Sequence, residues 1–467
     1  MSEGRPPRTP LGAGLLFLAL LAGAAQAAVR PGVDPAALFA RAVAIGSAGD
    51  HSLARSHLEP VLLSPRVSRG ARARAYYLRG LLFYREGAFV SAGQDYRRAL
   101  EFQPTLAQAR AALAWLHLKG LGVDRDPARA EALYRLAARQ GHLDAQYNLG
   151  LLLAKGEAVP RREREAISWF ERAAEGDHAE AAALAGRLLA RRARATADAT
   201  PSRTLADESD LDRARHWLAR AADLDHDGAR VELGRLLLET DPAAGLALLE
   251  GAAERGSVSA QRQLGQLLQR GAEGVDADPA RGALWLREAA KQGDASAQSW
   301  LGWAYDTGVG VDQDPARALR WYTRAARRDD ATAQVNLALL YQHGRGTARR
   351  EDLARRWFER AADQGHVNAL SSLAWMLATA PDANDRDAAR ALDLARAAVA
   401  EQEDARTLEA LAAALAESGR FEEAVMEQRR ALALLEDASE QEADAAVRTA
   451  LEARLAAYRA RQAWRDP

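Results

Sequence analysis

Residues 297–327 read AQSWLGWAYDTGVGVDQDPARALRWYTRAAR, and residues 333–365 repeat the pattern as AQVNLALLYQHGRGTARREDLARRWFERAADQG. Equivalent residues lie 36 positions apart, as in the pairs Ala297 and Ala333, Trp321 and Trp357, Ala325 and Ala361. Self-similarity at a fixed period of this length is typical of repeat proteins, in which each repeat is one supersecondary unit that stacks on its neighbours. The stretch therefore predicts an all-α fold, a solenoid of helical hairpins.

The same pattern extends outward along the chain. An alanine opens each predicted first helix, at Ala109, Ala145, Ala181, Ala229, Ala260, Ala297, Ala333 and Ala369. Five positions later comes a small residue: Ala114, Gly150, Gly186, Gly234, Gly265, Gly302, Ala338 and Ala374. Because a side chain no larger than a methyl group lets two helices approach closely, this position predicts where the two helices of a hairpin cross.

The sequence pattern resembles two related families. Tyr76, Gly80, Phe83, Ala92, Tyr96, Ala99 and Pro104 have the spacing of a tetratricopeptide repeat. From Leu301 onward the chain matches LGxxYxxGxGVxxDxxxAxxWYxxAAxxG, the motif of the Sel-one-like repeats, a longer-turn branch of the same superfamily. The resemblance implies a right-handed αα-superhelix that acts as an adaptor, with the first helix of each hairpin lining the concave face.

The repeat pattern and its changes divide the sequence into six segments. They are a signal peptide (1–27), an N-terminal helical hairpin (28–72), a tetratricopeptide repeat (73–106), a Sel-one-like array (107–368), tetratricopeptide-type repeats (369–436) and a C-terminal capping helix (437–467). Within the array, an insertion rich in Arg, Ala, Thr and Asp at 193–209 predicts a solvated loop.

The N-terminus has the features of a bacterial secretory signal. Arg5 and Arg8 precede an apolar run from Leu11 to Ala25, and Ala25-Gln26-Ala27 is a small-x-small cleavage site. The alternative is an uncleaved membrane anchor, but the run is shorter than the ~20 apolar residues that span a bilayer. We therefore expect cleavage near Ala27 and a periplasmic or secreted protein.

Composition argues against several functional classes. The 467 residues contain 63 Lys and Arg against 64 Asp and Glu, so no net positive charge is available to bind nucleic acid. The chain has no cysteine, so it has no disulfide framework and no thiol chemistry. No nucleophile–base pair, phosphate loop or paired-carboxylate motif is present. We expect a protein that is not an enzyme and needs no cofactor.

Two recurring polar patterns have both a metal-binding and a structural interpretation. VDRDPARA at Val123, VDADPARG at Val275 and VDQDPARA at Val311 place two aspartates two residues apart, as calcium loops do. Proline follows at once, which favours an N-cap aspartate with Pro at the first helical position. Four histidines, His142, His178, His226 and His366, share a register in which other repeats carry Ser257, Asp294 and Asp330. This favours residues that cap a helix over metal ligands.

The predicted function is that of an exported, non-enzymatic scaffold that binds a partner protein or peptide through its concave face. Candidate partner-binding residues are Trp115, Tyr147, Arg262, Gln266, Trp303, Val335 and Trp375, because aromatic rings and arginine are enriched where partners bind. The alternative for these rings is that they fill seams between hairpins. The alternative function is an accessory or enzyme of cell-envelope polysaccharide or peptidoglycan metabolism.

Overall fold

A computed structural model describes residues 35–199, 205–438 and 443–465. The predicted signal peptide lies outside these residues. The described chain forms 23 α-helices and no β-strand, with one isolated bridge between Ala272 and Val275. It divides into two compact units, residues 1–233 and 234–467. None of the described helices is long and apolar enough to span a membrane.

Unit 1 is a series of antiparallel hairpins. Its helices are α1 (Pro35–Ser47), α2 (His51–Leu63), α3 (Arg69–Arg85), α4 (Phe89–Phe102), α5 (Ala107–Lys119), α6 (Pro127–Ala138), α7 (Leu143–Lys155), α8 (Glu163–Glu175), α9 (Ala179–Ala199) and α10 (Leu205–Asp223). The division between the units falls within α11 (Asp227–Leu237).

Unit 2 continues the alternation of first and second helices. It contains α12 (Pro242–Glu254), α13 (Val258–Arg270), α14 (Pro279–Lys291), α15 (Ala295–Thr307), α16 (Pro315–Ala326), α17 (Ala331–His343), α18 (Glu351–Ala362), α19 (Val367–Thr379), α20 (Ala388–Glu401), α21 (Ala405–Glu417), α22 (Phe421–Ala438) and α23 (Ala443–Arg459). The predicted all-α stack of hairpins is confirmed within each unit.

The Asp-Pro pairs cap second helices, as predicted. The carboxylates of Asp126, Asp278 and Asp314 accept hydrogen bonds from the backbone N–H three residues later, at 2.9, 3.0 and 2.9 Å. In each case the proline occupies the first turn, where its missing N–H leaves no helical hydrogen bond unmade. The aspartates therefore start helices.

Small residues lie where the two helices of a hairpin touch. A Cβ atom on Gly150 would lie 2.6 Å from the Phe170 ring, and one on Gly302 would lie 2.7 Å from the Tyr322 ring. Both rings are fully buried. The predicted reason for the small residue, close approach of the paired helices, is confirmed.

Glycine in the inter-helix turn has a second role, because it lets the turn contact the backbone of the preceding repeat. Gly310 and Gly346 have φ values of +75° and +69°, which suit glycine. A Cβ on Gly310 would overlap the backbone of Pro279, and one on Gly346 that of Pro315. Each turn thus rests directly on the start of the previous second helix.

A buried glutamine, which the sequence analysis did not single out, joins successive hairpins. Gln146, Gln261, Gln298 and Gln334 follow the alanine that opens the first helix, and each is at most 6% exposed. Their side-chain amides donate to the carbonyl oxygens of Ala138, Ala253, Ala290 and Ala326, at 3.0–3.1 Å. The acceptor is the second alanine of the double alanine in the preceding repeat. This hydrogen bond fixes one hairpin on the next.

The predicted loop at 193–209 is wrong at 193–199 and 205–209, which are helical, whereas 200–204 lie outside the described residues. The insertion lengthens both helices of one hairpin, so that α9 runs to Ala199 and α10 begins at Leu205. Arginine and alanine are strong helix formers, and they extend α9 here. Arg192 makes a two-pronged ion pair with the buried carboxylate of Asp210, both contacts being 2.5 Å long. This pair flanks the insertion and joins α9 to α10 at the point where the extensions begin.

Candidate functional site

The exposed sides of the first helices carry most of the predicted partner-binding residues. We call these sides the first-helix surface and describe it separately in each unit. In unit 1 it includes half-buried Trp115 on α5, whose indole N–H donates to the Tyr84 hydroxyl at 2.8 Å. The ammonium of Lys119 lies 4.9 Å from the indole ring. Trp115 is therefore held in position by a neighbouring repeat while one side of its ring stays accessible.

Tyr147 on α7 stacks on a histidine of the next repeat. Its ring lies 4.6 Å from that of His178, at an interplanar angle of 22°. Burial raises the pKa of Tyr147 to about 12 and lowers the pKa of His178. Both rings are therefore neutral near pH 7, and the pair presents a flat, uncharged platform.

In unit 2, Trp303 on α15 belongs to a larger aromatic group than the sequence analysis predicted. It meets Trp300 edge to face, with ring centroids 5.7 Å apart. The guanidinium of Arg270, from α13, covers Trp300 at 4.3 Å. Cation and ring attract each other through the negative face of the indole. Trp300 and Arg270 are missed site candidates, which an i, i+3 pairing of the two tryptophans could have identified.

Arg262 and Gln266 on α13 connect to the following first helix. Arg262 Nε lies 3.4 Å from a carboxylate oxygen of Asp294, and Gln266 donates to the Ser296 hydroxyl at 3.4 Å. Both contacts are long, and both residues are half-buried. Their polar groups can therefore exchange these contacts for contacts with a ligand.

Val335 does not belong to the surface. It is 5% exposed and packs in the core of unit 2 together with Phe358 and Leu370. Ser299 and Ser371, at the same repeat position, are 5% and 1% exposed. Short side chains at this position end inside the seam between hairpins, whereas the longer side chain of Tyr147 extends past it. Placing Val335 among the accessible residues was wrong.

Trp375 on α19 is half-buried and lies under other parts of the chain. The guanidinium of Arg454, from α23, sits 4.7 Å from its ring and 5.4 Å from the ring of Trp464. We call residues 460–465 the tail segment. Trp375 is therefore covered by the Arg454 side chain, whose guanidinium also faces Trp464 of the tail segment.

A depression of about 450 Å³ lies on the second helices of unit 1, lined by Glu171, Glu175, Asp212, Arg213, His216 and Trp217. The carboxylate of Glu171 already accepts two hydrogen bonds, from Arg213 at 2.7 Å and from the Trp217 indole N–H at 3.0 Å. The depression can receive a polar group, but it presents no activated nucleophile. Nowhere in the described parts of the chain do three or more His, Cys, Asp or Glu residues gather in a way that could hold a metal ion.

Residues at the repeat position of the four histidines cap the first helices. Nδ1 of His142, His178 and His226 accepts the backbone N–H three residues later, at 3.2, 3.2 and 3.0 Å. Ser257, Asp294 and Asp330 do the same, at 3.4, 2.7 and 2.7 Å. The structural interpretation of this register is confirmed at these six positions. His366 is the exception, since its side chain makes no cap hydrogen bond.

The predicted residues thus fall into separate groups. Trp115 and Tyr147 lie on unit 1, and Arg262, Gln266, Trp303 and Trp375 lie on unit 2. What they share is the half-buried state of a side chain held by a neighbouring repeat. Their role in binding a partner stays a prediction.

Comparison with known proteins identifies the repeat. The family model of the Sel1 repeat matches residues 73–102, 106–142, 143–178, 207–226, 258–294, 295–330 and 331–366. The first of these lies in the segment that the sequence pattern assigned to a tetratricopeptide repeat. The seven matches fall between residues 73 and 366 in both units and leave 179–206 and 227–257 unmatched.

One solved structure of a Sel1 repeat protein agrees with that match. A Sel1 repeat protein from Oxalobacter formigenes is 25% identical, with a TM-score of 0.53, over 75% of this chain and 98% of that one. A protective antigen of uropathogenic Escherichia coli strains, described as displaying an SLR fold, is 21% identical, with a TM-score of 0.42, over 88% of this chain and 98% of that one.

Among curated proteins, "Chitin synthase regulatory factor 3" of Schizosaccharomyces pombe is 28% identical over 124 residues, which are 26% of this chain. The alignment spans only 12% of that relative's length. It therefore extends no further than a few repeats. On the repeat matches, the period and the packing of its hairpins, the chain belongs to the Sel1 repeat family.

Proposed function

We propose that this protein is an exported, non-enzymatic scaffold that binds a protein or peptide partner through the first-helix surface, which corresponds to the concave face in related repeat proteins. Stacks of helical repeats offer extended contact area, and Sel1 repeat proteins commonly act as interaction scaffolds. The observation that carries the proposal is the set of half-buried aromatic rings on the first helices α5, α7 and α15: Trp115, Tyr147, Trp300 and Trp303.

These rings have the properties of interface anchors. Each is held by a defined contact, namely the Tyr84 hydroxyl for Trp115, the His178 ring for Tyr147 and the Arg270 guanidinium for Trp300. A ring that is already ordered loses little conformational entropy when a partner covers it. Tryptophan, tyrosine and arginine are also the residues whose truncation most often weakens a complex.

The test is a comparison of two surfaces. A partner captured by in vivo cross-linking is purified, and its Kd is measured for the wild-type chain and for Trp303→Ala, Trp115→Ala and Leu284→Ala. Leu284 is the matched control, because it is 56% exposed but lies on the second helix α14. We expect a loss of ~10-fold or more for at least one tryptophan variant and none for Leu284→Ala. Equal affinity in all four proteins would exclude the first-helix surface.

Export is part of the proposal and has its own test. Arg5, Arg8 and the small-x-small sequence ending at Ala27 support a cleaved signal. Cell fractionation of the full-length chain should place a shortened protein outside the cytoplasm. A bulky charged residue at the cleavage site, Ala27→Arg, should leave the chain uncleaved. A full-length cytoplasmic product from the unaltered gene would contradict export.

A second candidate function, accessory to a polysaccharide-forming enzyme of the cell envelope, has one observation in its favour. The curated relative that matches 124 residues is named as a regulatory factor of a chitin synthase. In this reading the scaffold binds the enzyme or its glycan product. Sedimentation with purified peptidoglycan separates the two cases, because direct glycan binding that Trp303→Ala abolishes would favour a carbohydrate surface.

A further inference from the structure

We propose that the tail segment, residues 460–465, is an internal ligand of unit 2. In this view the site it occupies at Arg454 and Glu417 binds, in trans, a segment of a protein partner in which an aromatic residue is followed by arginine. The proposal rests on the proposed scaffold function and specifies the ligand and its regulation at one end of the first-helix surface. Until it is displaced, the tail keeps that end closed.

A turn at the end of α23 directs the tail back onto the domain. Arg461 has φ +57°, in the left-handed region that residues other than glycine seldom adopt. The N–H of Gln462 bonds to the Ala457 carbonyl at 2.9 Å, and that of Arg461 to the Tyr458 carbonyl at 3.0 Å. This pattern ends the helix and reverses the chain. Residues 462–465 therefore lie outside the helix.

Trp464 supplies the aromatic part of the internal ligand. Together with Ala463 it packs on the same core cluster of unit 2 as Trp375 does. The guanidinium of Arg454 faces both indole rings, at 4.7 Å from Trp375 and 5.4 Å from Trp464, and is anchored by an ion pair with Glu409. The resulting arrangement, a fixed cation facing two rings, is a recognition site for a planar aromatic side chain.

Arg465 supplies the basic part. One guanidinium nitrogen lies 2.6 Å from Glu417, and another donates to the Ala378 carbonyl at 3.3 Å, near the end of α19. Glu417 also accepts from Arg386 at 2.9 Å and is only 14% exposed. A shielded carboxylate next to a carbonyl in the last turn of a helix, where the helix dipole is negative, favours a cation. The acceptors for a guanidinium are thus fixed by the fold and do not depend on the tail.

The fit of the tail is incomplete, which suits an occupant that can be displaced. The indole N–H of Trp464 is buried and has no acceptor among the described residues. A buried donor without a partner weakens the docked state. The side chain of Arg465 remains 37% exposed. A partner segment that provides an acceptor for the indole would bind the same site better than the tail does.

Competition between the tail and a partner follows from their connectivity. A segment tethered to its own site experiences an effective concentration of the order of millimolar for a short linker. A free peptide of identical sequence must overcome that concentration. Full-length wild-type protein should therefore bind such a peptide weakly, and release of the tail should expose the underlying affinity.

The test uses a fluorescent peptide with the sequence of residues 460–467, ARQAWRDP, in anisotropy titrations against full-length proteins. Arg465→Glu, at an exposed position, should release the tail and bind the peptide at least 10-fold more tightly than the wild type does. A peptide with alanine in place of its tryptophan should not bind. Adding Trp375→Ala to Arg465→Glu should abolish binding. Arg448→Glu, a charge reversal on α23 outside these contacts, is the matched control and should behave as the wild type.

Two results would overturn the proposal. The first is an Arg465→Glu protein with native circular dichroism that binds the peptide no better than the wild type, which would make the tail a structural cap only. The second needs no variant. Amide hydrogen exchange at residues 462–465 of the wild-type chain should accelerate at least 10-fold when unlabelled peptide is in excess, and an unchanged rate would exclude displacement. Neither assay uses a cellular partner, so failure of the scaffold function would be recognised separately.

Discussion

Within unit 2, successive hairpins are joined by different contacts in the regular repeats 258–366 and in the C-terminal region 367–465. In the regular repeats, a capping side chain and a buried glutamine recur at each junction. At the next junction His366 makes no cap bond, and Leu370 stands where Gln334 stands one repeat earlier. The first-helix surface is open beside Trp303 but covered by the Arg454 side chain at Trp375. Repeated polar contacts define the register of the regular repeats, whereas the junction at His366 lacks both of them and has the apolar Leu370 instead.

The largest effect should come from filling the helix crossing of a regular repeat. Gly302→Leu drives a side chain into the buried Tyr322 ring, since even a Cβ would lie 2.7 Å away. We expect a loss of about 3 kcal/mol in the free energy of unfolding by urea denaturation, the upper end for overpacking. At the matched position of the next repeat, Ala338→Gly should cost only about 1 kcal/mol, through helix propensity. Similar losses for both variants would mean that the crossing is not tight.

The next largest loss of stability should come from removing the buried glutamine that joins two hairpins. This change makes a regular junction resemble the junction at His366. Gln334→Leu reproduces Leu370 and deletes the 3.1 Å bond to the Ala326 carbonyl and the 2.8 Å bond from Gln364. We expect a loss of about 2 kcal/mol, because buried polar groups lose their partner. Gln364→Ala, on the exposed side of the same contact, should cost about 0.5 kcal/mol. A neutral Gln334→Leu would show that packing alone fixes the register.

Adding a capping side chain at position 366, where the cap hydrogen bond is missing, should stabilise the protein. His366 has φ −70° and ψ 115°, and Asp330 at the equivalent position has φ −71° and ψ 107°. His366→Asp should therefore add a cap bond and stabilise the protein by about 1 kcal/mol. Asp330→Ala is the reciprocal variant and should destabilise by a similar amount. No gain from His366→Asp would mean that this helix start is satisfied in another way.

The smallest effect concerns pH and separates unit 1 from the regular repeats of unit 2. Burial lowers the pKa of His142 and His178, whose Nδ1 atoms must be unprotonated to accept their cap bonds. The folded state therefore binds fewer protons than the unfolded state as pH falls below the ordinary histidine pKa. Their contribution is complete above that value and is lost toward lower pH.

Melting temperatures measured between pH 8 and pH 5 test this difference. The double variant His142→Asn, His178→Asn keeps a capping side chain that does not titrate, and it should lose less stability on acidification than the wild type. Junctions capped by Ser257, Asp294 and Asp330 contain no histidine and should not share this dependence. An identical pH profile for wild type and double variant would contradict the assignment.

The features that could be predicted from sequence are those that repeat. The crossing at Gly302 and the caps at Asp314 and His142 are each visible as one residue type at a fixed interval. Repetition makes the physical requirement visible several times in one chain. The hairpin stack and the structural role of the histidines followed from that.

What the sequence could not reveal occurs once or depends on side-chain length. The two long helices α9 and α10 replace a predicted loop, because the ion pair of Arg192 with Asp210 is a contact that no period signals. Val335 was placed on the surface by its register, but a short side chain at that register ends in the seam. The tail contact of Arg465 with Glu417 links residues far apart in sequence. Only coordinates bring them together.

Each glycine turn contacts the start of the preceding second helix, and this contact limits how such a chain can gain or lose residues. Gly310 meets Pro279, and Gly346 meets Pro315, so both contacts join residues 31 positions apart. A gene duplication or deletion of one full 36-residue period restores every such partner, wherever the breakpoints fall. A change of another length is tolerated where it avoids this contact, as in the hairpin of α9 and α10, whose extra residues lengthen the two helices. Within the regular repeats 258–366, the number of repeats can therefore vary as long as the 31 residues between a turn and its contact on the preceding helix are kept.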